Sequence, residues 1–403
     1  MLNGLPPPTL VQDARGFERL LDDLAGQKEI AVDTEADSFY SYREKVCLVQ
    51  VTVEDRDYLL DPLAGFDVRG LGKVLADPTR LKVFHDGEYD VLILKRIYGF
   101  RFSNLFDTRV AAATLGSPNP GLANVLRERY GIELDKSMQR SDWAQRPLSE
   151  KQIRYARLDT RFLLPLMREQ RVELSARGRE HFVEGECQRL EALEPPDDRF
   201  DPDEFVKLKN ARLLDPLGRQ VLRELFTLRE KLASESDQPP FRIMNNETLV
   251  EIARVRPRSA HELQRIPGIS PKQGRRLGDA VLDAVLRGLE LGPLRTLPQL
   301  PNRDGTGNFS DEDIELHERL KNRRKELAQA LGIDSAYLIN RHVLPRLARA
   351  KPRSLDELAR TEGLLGWQLR DYGPELLSVI EQFERERAAG MLPASRRRAR
   401  WRG

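Results

Sequence analysis

The chain has 403 residues, of which 40% are hydrophobic and 32% charged, and its formal net charge is +2. This length predicts about two to four domains, and the composition is typical of folded globular proteins, which excludes a largely disordered chain. The small net charge excludes a basic surface over the whole molecule, so any surface that binds nucleic acid has to be local.

The N-terminal residues and the two cysteines indicate the cellular compartment of the protein. The first residues, MLNGLPPPTLVQ, have neither a basic start nor a long apolar run, so we expect no signal peptide. No segment approaches the roughly 20 apolar residues that a membrane helix needs. Cys47 and Cys187 lie far apart, which excludes a disulfide framework and a cysteine zinc site. We therefore predict a cytoplasmic protein without a membrane anchor.

The first half of the chain has the pattern of a mixed α/β domain. Short runs rich in Val, Leu and Ile predict strands at 29–33, 46–53, 57–61 and 81–85. A helix is predicted directly after the last of these strands, with Asp86 as its N-cap. Helical patterns then dominate from about 107 to 193, until EPPDDRFDP at 194–202 breaks them. These elements predict a mixed sheet flanked by helices, in a domain that covers 1–195 with its trailing helix.

The second half has helical patterns only, and it contains a repeat. Residues 249–278 align without a gap with residues 344–373, and 13 of the 30 positions are identical. The offset of 95 residues is too long for a solenoid unit, so it indicates one small helical domain that is duplicated. We predict an all-α domain at 203–292, a linker at 293–310, a second all-α domain at 311–388 and a basic tail at 389–403.

Acidic residues at three separate places are candidates for chemistry. In IAVDTEAD, Asp33 and Glu35 follow an apolar strand and are expected to share one face, with Thr34 on the other. In HDGEYD, Asp90 lies one turn into the predicted helix, with Asp86 and Glu88 as rival acids. In YARLD, Tyr155 and Asp159 are four residues apart and share one helix face. Each pattern alone is also compatible with a solvated strand end, a capped helix start or core packing.

The three patterns taken together, in this order, resemble the tyrosine branch of the DEDD exonuclease superfamily. Four longer stretches narrow the resemblance to the ribonuclease D family. They are VCLVQV at 46–51, KVFHDGEYDVLILKR at 82–96, FDTRVAAATLG at 106–116 and SDWAQRPLSEKQIRYARLDTRFLLPL at 141–166. The duplicated helical domain resembles the HRDC domain, and the first copy matches it better than the second.

The resemblance implies a role for each residue of the predicted site. It implies that Asp33, Glu35, Asp90 and Asp159 hold two divalent ions, Mg²⁺ or Mn²⁺, and it selects Asp90 over Asp86. It implies that Tyr155 completes the catalytic set by orienting the attacking water. His85, Trp143 and Arg146 are weaker candidates for substrate contacts; a structural role is the favoured alternative for His85, and packing of its loop is the alternative for Trp143. No small-molecule cofactor is expected.

The implied activity is the removal of nucleoside 5′-monophosphates from RNA 3′ ends. The implied substrates are precursors of transfer RNA and other small structured RNAs, which the helical copies would hold through arginines such as Arg265, Arg275 and Arg276. A DNA-directed 3′→5′ exonuclease and a catalytically silent nucleic-acid binding protein are the alternatives. Nothing in the sequence indicates an oligomer, so a monomer is expected.

Overall fold

A computed structural model describes residues 6–299 and 309–392 of the chain. Part of the predicted linker (300–308) and most of the predicted basic tail (393–403) lie outside these residues. The chain divides into two compact units. Of the described residues, the first combines 6–35, 46–195 and 309–392, and the second combines 36–45 and 196–299.

A six-stranded mixed sheet lies at the centre of the first unit. Its strands are β1 Thr9–Val11, β2 Glu29–Ala36, β3 Val46–Thr52, β4 Asp57–Leu60, β5 Leu81–Phe84 and β6 Leu105–Asp107. They follow the order β1-β4-β3-β2-β5-β6. Strand β5 is parallel to both β2 and β6, and β4 is parallel to β1 but antiparallel to β3. Every residue of β3 is buried, as expected for a strand that is covered on both faces.

Eight α-helices accompany these strands in the described residues up to Pro195. They are α1 Ala14–Ala25, α2 Leu71–Ala76, α3 Glu88–Tyr98, α4 Thr108–Thr114, α5 Leu122–Tyr130, α6 Glu150–Arg161, α7 Leu163–Ala176 and α8 Glu180–Ala192. The predicted α/β domain with a mixed sheet and flanking helices is confirmed. The predicted strands all form, whereas the three-residue strands β1 and β6 were not predicted, because so short a run carries no readable periodicity.

The turn between β5 and α3 differs from the prediction. Asp86 does not cap α3: it adopts a left-handed φ of 65°, and Gly87 occupies the N-cap position. The carboxylate of Asp107, at the end of β6, accepts hydrogen bonds from the backbone N–H groups of Asp86 (3.1 Å) and Gly87 (2.8 Å). The cap is thus supplied by a neighbouring strand, a long-range contact that local sequence does not reveal.

The first helical repeat forms most of the second unit. Its helices are α9 Pro216–Glu235, α10 Pro240–Ile243, α11 Asn246–Val255, α12 Ala260–Gln264 and α13 Pro271–Glu290. The segment Ala36–Lys45, which follows β2, belongs to this unit. The hydroxyl of Tyr42 donates a hydrogen bond to Glu230, and Arg242 stacks over the ring of Tyr40 at 4.5 Å.

The second helical repeat belongs to the first unit. Its helices are α14 Asp311–Leu331, α15 Ser335–Leu338, α16 Val343–Ala350, α17 Leu355–Ala359 and α18 Gly366–Ala388. Phe182 of α8 belongs to the same buried apolar cluster as Leu316, Leu347 and Phe383 of this repeat. The repeat therefore shares its core with the last helix of the α/β domain. In the described residues, no helix is long and apolar enough to cross a membrane.

Replacement by alanine is expected to have opposite effects on stability at two glycines of α13. At Gly288, an added Cβ would lie 2.6 Å from the Cα of Val221 in α9, so the two helices approach closely. At Gly278, an added Cβ would meet only a methyl group of Leu263, at 3.8 Å. We expect Gly288→Ala to destabilise the unit by about 1–3 kcal/mol, because backbone has to move. We expect Gly278→Ala to stabilise it by up to about 1 kcal/mol, since alanine favours the helix.

Thermal and urea unfolding of the full chain measure both effects. Gly26→Ala, where an added Cβ would meet nothing within 4 Å, serves as a control with little expected change. Equal midpoints for the Gly288 and Gly278 variants would contradict the close approach of α9 and α13.

Candidate active site

The end of β2 supplies the first two acids of the site. Ile30, Ala31 and Val32 are fully buried and anchor the strand in the sheet. Asp33 and Glu35 follow two residues apart, so their side chains leave the strand on the same side. Because β2 and β5 are parallel, their carboxyl ends reach the same edge of the sheet. The turn that leads from β5 into α3 and Asp90 therefore lies beside the end of β2.

Helix α6 supplies the tyrosine and the last acid. The helix begins with a capping box, in which the side chains of Ser149 and Gln152 satisfy each other's backbone N–H groups. Tyr155 and Asp159 lie one turn apart and are 8% and 7% exposed. The ring of Trp143 packs against that of Tyr155, with centroids 6.0 Å apart. The capping box at the start of α6 and the buried ring of Trp143 thus fix the helix face that carries Tyr155 and Asp159.

Three of the predicted acids converge on one point. One carboxylate oxygen each from Asp33, Glu35 and Asp159 lies within 4.8 Å of the other two. Glu35 on the strand β2 and Asp159 on the helix α6 are 124 residues apart in the chain, and their side chains meet here. Carboxylates at this separation repel each other strongly unless protons or a cation lie between them.

Asp90 adjoins this group but is not part of it. Its Oδ1 accepts a hydrogen bond of 2.5 Å from the hydroxyl of Thr34, the residue between Asp33 and Glu35. Thr34 was expected on the opposite face of the strand, and no role was predicted for its hydroxyl. Its hydroxyl instead links the strand of the first two acids to the helix of the third. The rival acid Asp86 is exposed and lies 3.4 Å from the guanidinium of Arg109.

The carboxyl groups of the site titrate far from their usual range. Burial, followed by the charges of neighbouring acids, raises the pKa of Asp33 and Glu35 well above normal. Burial likewise raises the pKa of Asp159, against a hydrogen bond from Tyr155 that lowers it. Burial raises the pKa of Asp90 to about 6, although its hydrogen bond from Thr34 lowers it. Perturbed acids of this kind in one place are typical of a functional site.

The phenol of Tyr155 is held in its neutral form. Burial raises its pKa, and the charges of Asp159, Glu35 and Asp33 raise it further. A neutral phenol can donate one hydrogen bond and accept others, but it cannot act as a base near neutral pH. A cleft of about 110 Å³ lies beside Tyr155 and Asp159, with Asn124 and Gln139 among its lining residues.

The residues fit a divalent cation. Oδ2 of Asp159 is buried and has no hydrogen-bond partner among the described residues. A buried carboxylate oxygen without a donor is costly, and a cation would satisfy it. The cluster offers only oxygen ligands, which favours a hard ion such as Mg²⁺ or Mn²⁺ over Zn²⁺. The repulsion between the acids would be removed by the same ion.

The structure gives His85 an internal hydrogen bond. The hydroxyl of Thr108 donates to the carbonyl oxygen of Phe84 (2.9 Å), so Nδ1 of His85 is the donor in its 2.9 Å contact with that hydroxyl. Burial lowers the pKa of His85 to about 4, so the ring is neutral at physiological pH. This histidine connects the end of β5 to the start of α4.

Trp143 and Arg146 have structural roles, against the expectation that they line the substrate path. Trp143 is 1% exposed and packs with Cys47, Leu48 and Tyr155, which agrees with the packing alternative. The guanidinium of Arg146 forms a two-pronged ion pair with Asp61, at 2.6 and 2.7 Å. Its remaining N–H groups donate to backbone carbonyl oxygens, which leaves it little capacity to bind a substrate.

Sequence reasoning missed two residues that hold the site together. Thr34 joins Asp90 to β2, and its position inside the DxE pattern is the only local signal for it. Asp107 is 2% exposed, and its carboxylate accepts backbone hydrogen bonds from Asp86, Gly87, Arg109 and Val110. By joining the starts of α3 and α4, it fixes the turn from which α3 carries Asp90.

Comparison with known proteins identifies both kinds of domain. Residues 8–174 match the 3′-5′ exonuclease family, and residues 218–285 and 313–380 each match the HRDC domain. Ribonuclease D of Sphingobium indicum is 30% identical over 378 residues, which cover 92% of this chain and 94% of that protein. Ribonuclease D of Desulfotalea psychrophila is 29% identical over 344 residues, which cover 84% of this chain and 90% of that protein.

Solved structures agree with these relatives. The crystal structure of Escherichia coli RNase D, described as an exoribonuclease involved in structured RNA processing, is 25% identical with a TM-score of 0.69, and the match covers 94% of this chain and 99% of that one. The catalytic core of RRP6 from Trypanosoma brucei is 29% identical with a TM-score of 0.65, over 72% of this chain and 82% of that one. The acid cluster, the neutral tyrosine and the two HRDC domains have one explanation: the chain belongs to the ribonuclease D family of 3′-5′ exoribonucleases.

Proposed function

We propose that this protein is a divalent-metal-dependent 3′→5′ exoribonuclease that releases nucleoside 5′-monophosphates from precursors of transfer RNA and other small structured RNAs. The observation that carries the proposal is the convergence of Asp33, Glu35 and Asp159 within 4.8 Å, in a chain of this family. We further propose that it acts as a monomer in the cytoplasm, with the nuclease in 1–195 and the two HRDC domains in 203–292 and 311–388.

The acids have the chemistry of a metal centre for phosphoryl transfer. We propose Asp33, Glu35, Asp90 and Asp159 as ligands of two ions, Mg²⁺ or Mn²⁺. Such a pair, when bound, supplies a nucleophilic water at neutral pH and neutralises the charge that builds on the attacked phosphate. In the free protein, the raised pKa values mean that these carboxyl groups lose their protons less readily than ordinary ones, so ion binding should weaken as the pH falls.

Tyr155 orients the attacking water in this proposal. Its raised pKa keeps the hydroxyl protonated, so it aims a water by hydrogen bonding and does not take up the proton. The ring of Trp143 packs against that of Tyr155, whose hydroxyl donates a hydrogen bond to Asp159. We propose that a chain terminus approaches the acids along the cleft next to these two residues. A free 3′ end, rather than an internal linkage, is therefore the proposed point of attack.

The direct test is digestion of end-labelled RNA. We expect the purified protein with Mg²⁺ or Mn²⁺ to shorten 5′-labelled RNA stepwise and to release 3′-labelled mononucleotide at once. EDTA should abolish both reactions, because no protein group replaces the ions. A single-stranded DNA of the same sequence should be digested more slowly. Preferential digestion of the DNA would favour the DNA-directed alternative, and stepwise loss of a 5′ label would contradict the proposed polarity.

We expect Asp33→Asn to stabilise the metal-free protein and to lower its activity. The substitution should lower kcat by at least about 10²-fold, since a charged group that serves the transition state is removed. In EDTA, however, the variant should unfold at a higher temperature than the wild type at neutral pH. The reason is that the amide introduced in place of the carboxylate carries no charge, so its repulsion with the remaining acids is removed.

The pH dependence of that difference has a defined sign. The pKa of Asp33 is higher in the folded protein than its unfolded value of about 4. Its contribution to stability is therefore present below about pH 4 and is lost as the pH rises through the raised value. The advantage of Asp33→Asn in EDTA should grow from pH 5 to pH 8 and shrink when Mn²⁺ is added. An advantage that falls with rising pH would contradict the assigned repulsion.

Tyr155→Phe tests the proposed role of the phenol. We expect kcat to fall by about 10²-fold, because one hydrogen bond to the attacking water is lost. The KM for RNA should change little, since the ring remains, whereas the affinity for Mn²⁺ should fall somewhat, because the hydrogen bond that lowers the pKa of Asp159 is lost. Tyr130→Phe is the matched control: its hydroxyl also bonds a carboxylate, that of Glu169, but outside the acid cluster. Equal kcat values for the two variants would remove Tyr155 from the mechanism.

A further inference from the structure

Gln50, in the middle of β3, lies on the face of the sheet that α6 covers. The hydroxyl of Thr52, two residues further along the strand, is 2.7 Å from the hydroxyl of Thr160 in α6. Residues two apart in a strand point to the same face, so Gln50 also faces α6. Its partner across the antiparallel pair with β4 is Leu59, which belongs to one buried cluster with Ala156 of α6. Both observations give the same direction for the side chain of Gln50.

The contacts on either side of Gln50 locate it along the helix. Leu48, two residues before it in β3, belongs to the same buried cluster as Tyr155. Two residues after it comes the hydroxyl contact with Thr160. Gln50 therefore lies under the turn of α6 that carries Tyr155 and Asp159, on the side away from solvent.

The side-chain amide of Gln50 makes no hydrogen bond to any described residue. The residue is 0% exposed, and neither Nε2 nor Oε1 has a partner. Within the described chain, it is the one residue with two such atoms in its side chain. Gln368, which is also buried, differs: its Nε2 donates to the carbonyl oxygen of Leu338 (3.0 Å), and its Oε1 accepts from the N–H of Leu365 (2.9 Å). A buried amide without any partner is costly, so Gln50 requires an explanation.

Asp159, on the turn above Gln50, has a buried atom in the same condition. Its Oδ2 finds no hydrogen-bond partner among the described residues, so it is not bonded directly to the amide of Gln50. Buried polar groups that do not reach each other are the places where proteins hold internal water. A water that accepts a hydrogen bond from Nε2 of Gln50 can donate one to Oδ2 of Asp159.

We infer that Gln50 is a positioning residue of the nuclease site, because its amide binds an internal water that hydrogen-bonds to Oδ2 of Asp159. The inference rests on the proposed exoribonuclease function and adds a residue to that site. A carboxylate oxygen has two lone pairs, so Oδ2 can accept from the water and bind a metal ion at the same time. Such outer hydrogen bonds fix the orientation of metal ligands, and their loss typically costs about 10–100-fold in metal affinity or activity.

Gln50→Met in the full-length chain tests the inference, because methionine has a similar volume but no hydrogen-bond donor. We expect kcat to fall by about tenfold, on a tetranucleotide and on a transfer-RNA-sized substrate alike, with little change in KM. The dissociation constant for Mn²⁺, measured without RNA from the electron paramagnetic resonance of the free ion, should rise by about tenfold. The unfolding midpoint in EDTA should stay within about 3 °C of the wild type, since no hydrogen bond within the protein is lost.

Gln368→Met is the matched control, because it removes a buried glutamine whose hydrogen bonds are made within the protein. Its unfolding midpoint in EDTA should fall by more than about 3 °C, while kcat and the affinity for Mn²⁺ stay unchanged. Wild-type values of kcat and Mn²⁺ affinity in Gln50→Met would overturn the inference. So would a loss of activity in Gln50→Met accompanied by a fall in midpoint as large as that of the control.

A crystal structure of the wild-type chain gives a readout that is independent of activity. We expect an ordered water within about 3.2 Å of both Nε2 of Gln50 and Oδ2 of Asp159. The absence of a water bonded to both groups would overturn the inference. A wild type that binds Mn²⁺ but digests no RNA would instead overturn the proposed function, and the Mn²⁺ affinity of Gln50→Met would still decide the inference.

Discussion

The mutual repulsion of clustered carboxylates that are buried or half-buried is the constraint on which the rest of this structure depends. Asp33, Glu35 and Asp159 are held close together, and Asp90 adds its charge to theirs. No basic side chain among the described residues forms an ion pair with them, so the folded chain has to hold them against their tendency to separate or to take up protons. A divalent ion removes this conflict, which explains why a site that is costly for the free protein is useful for the enzyme.

The elements around the acids hold the carboxylates in place against this repulsion. Buried apolar residues anchor β2, a capping box fixes α6, and the carboxylate of Asp107 joins the starts of α3 and α4 through four backbone hydrogen bonds. Thr34 then connects Asp90 to β2. Each acid is thus placed by an element whose own geometry is fixed elsewhere, as rigid positioning of metal ligands requires.

The duplicated helical domains illustrate how equal folds acquire different tasks. Their turns retain the same backbone conformations, yet Trp367 of α18 packs on Phe182 of α8, whereas Lys272, at the equivalent position of the first repeat, is exposed. The packing of Trp367 also depends on Gly185 in α8, because any side chain there would displace the indole.

Much of the fold and the site could be predicted from the sequence. Alternation in a strand places Asp33 and Glu35 on one side, and the four-residue spacing places Tyr155 and Asp159 on one helix face; both follow from local geometry. The strands of the sheet, the helical second half and the duplication were readable for the same reason. Local pattern could not identify the partner of Thr34, the cap supplied by Asp107 or the burial of Trp143, because these contacts join residues far apart in the chain.

The sequence by itself determined which chemical groups this protein possesses and the order in which they occur, and its resemblance to ribonuclease D indicated what they do. Only the tertiary structure decided that three acids meet within 4.8 Å while a fourth is held beside them, that Arg146 is committed to Asp61, and that Trp367 of the second repeat packs on α8. The physical reason is that distance, burial and pairing are properties of packing, and packing depends on contacts between elements that no local stretch of sequence contains.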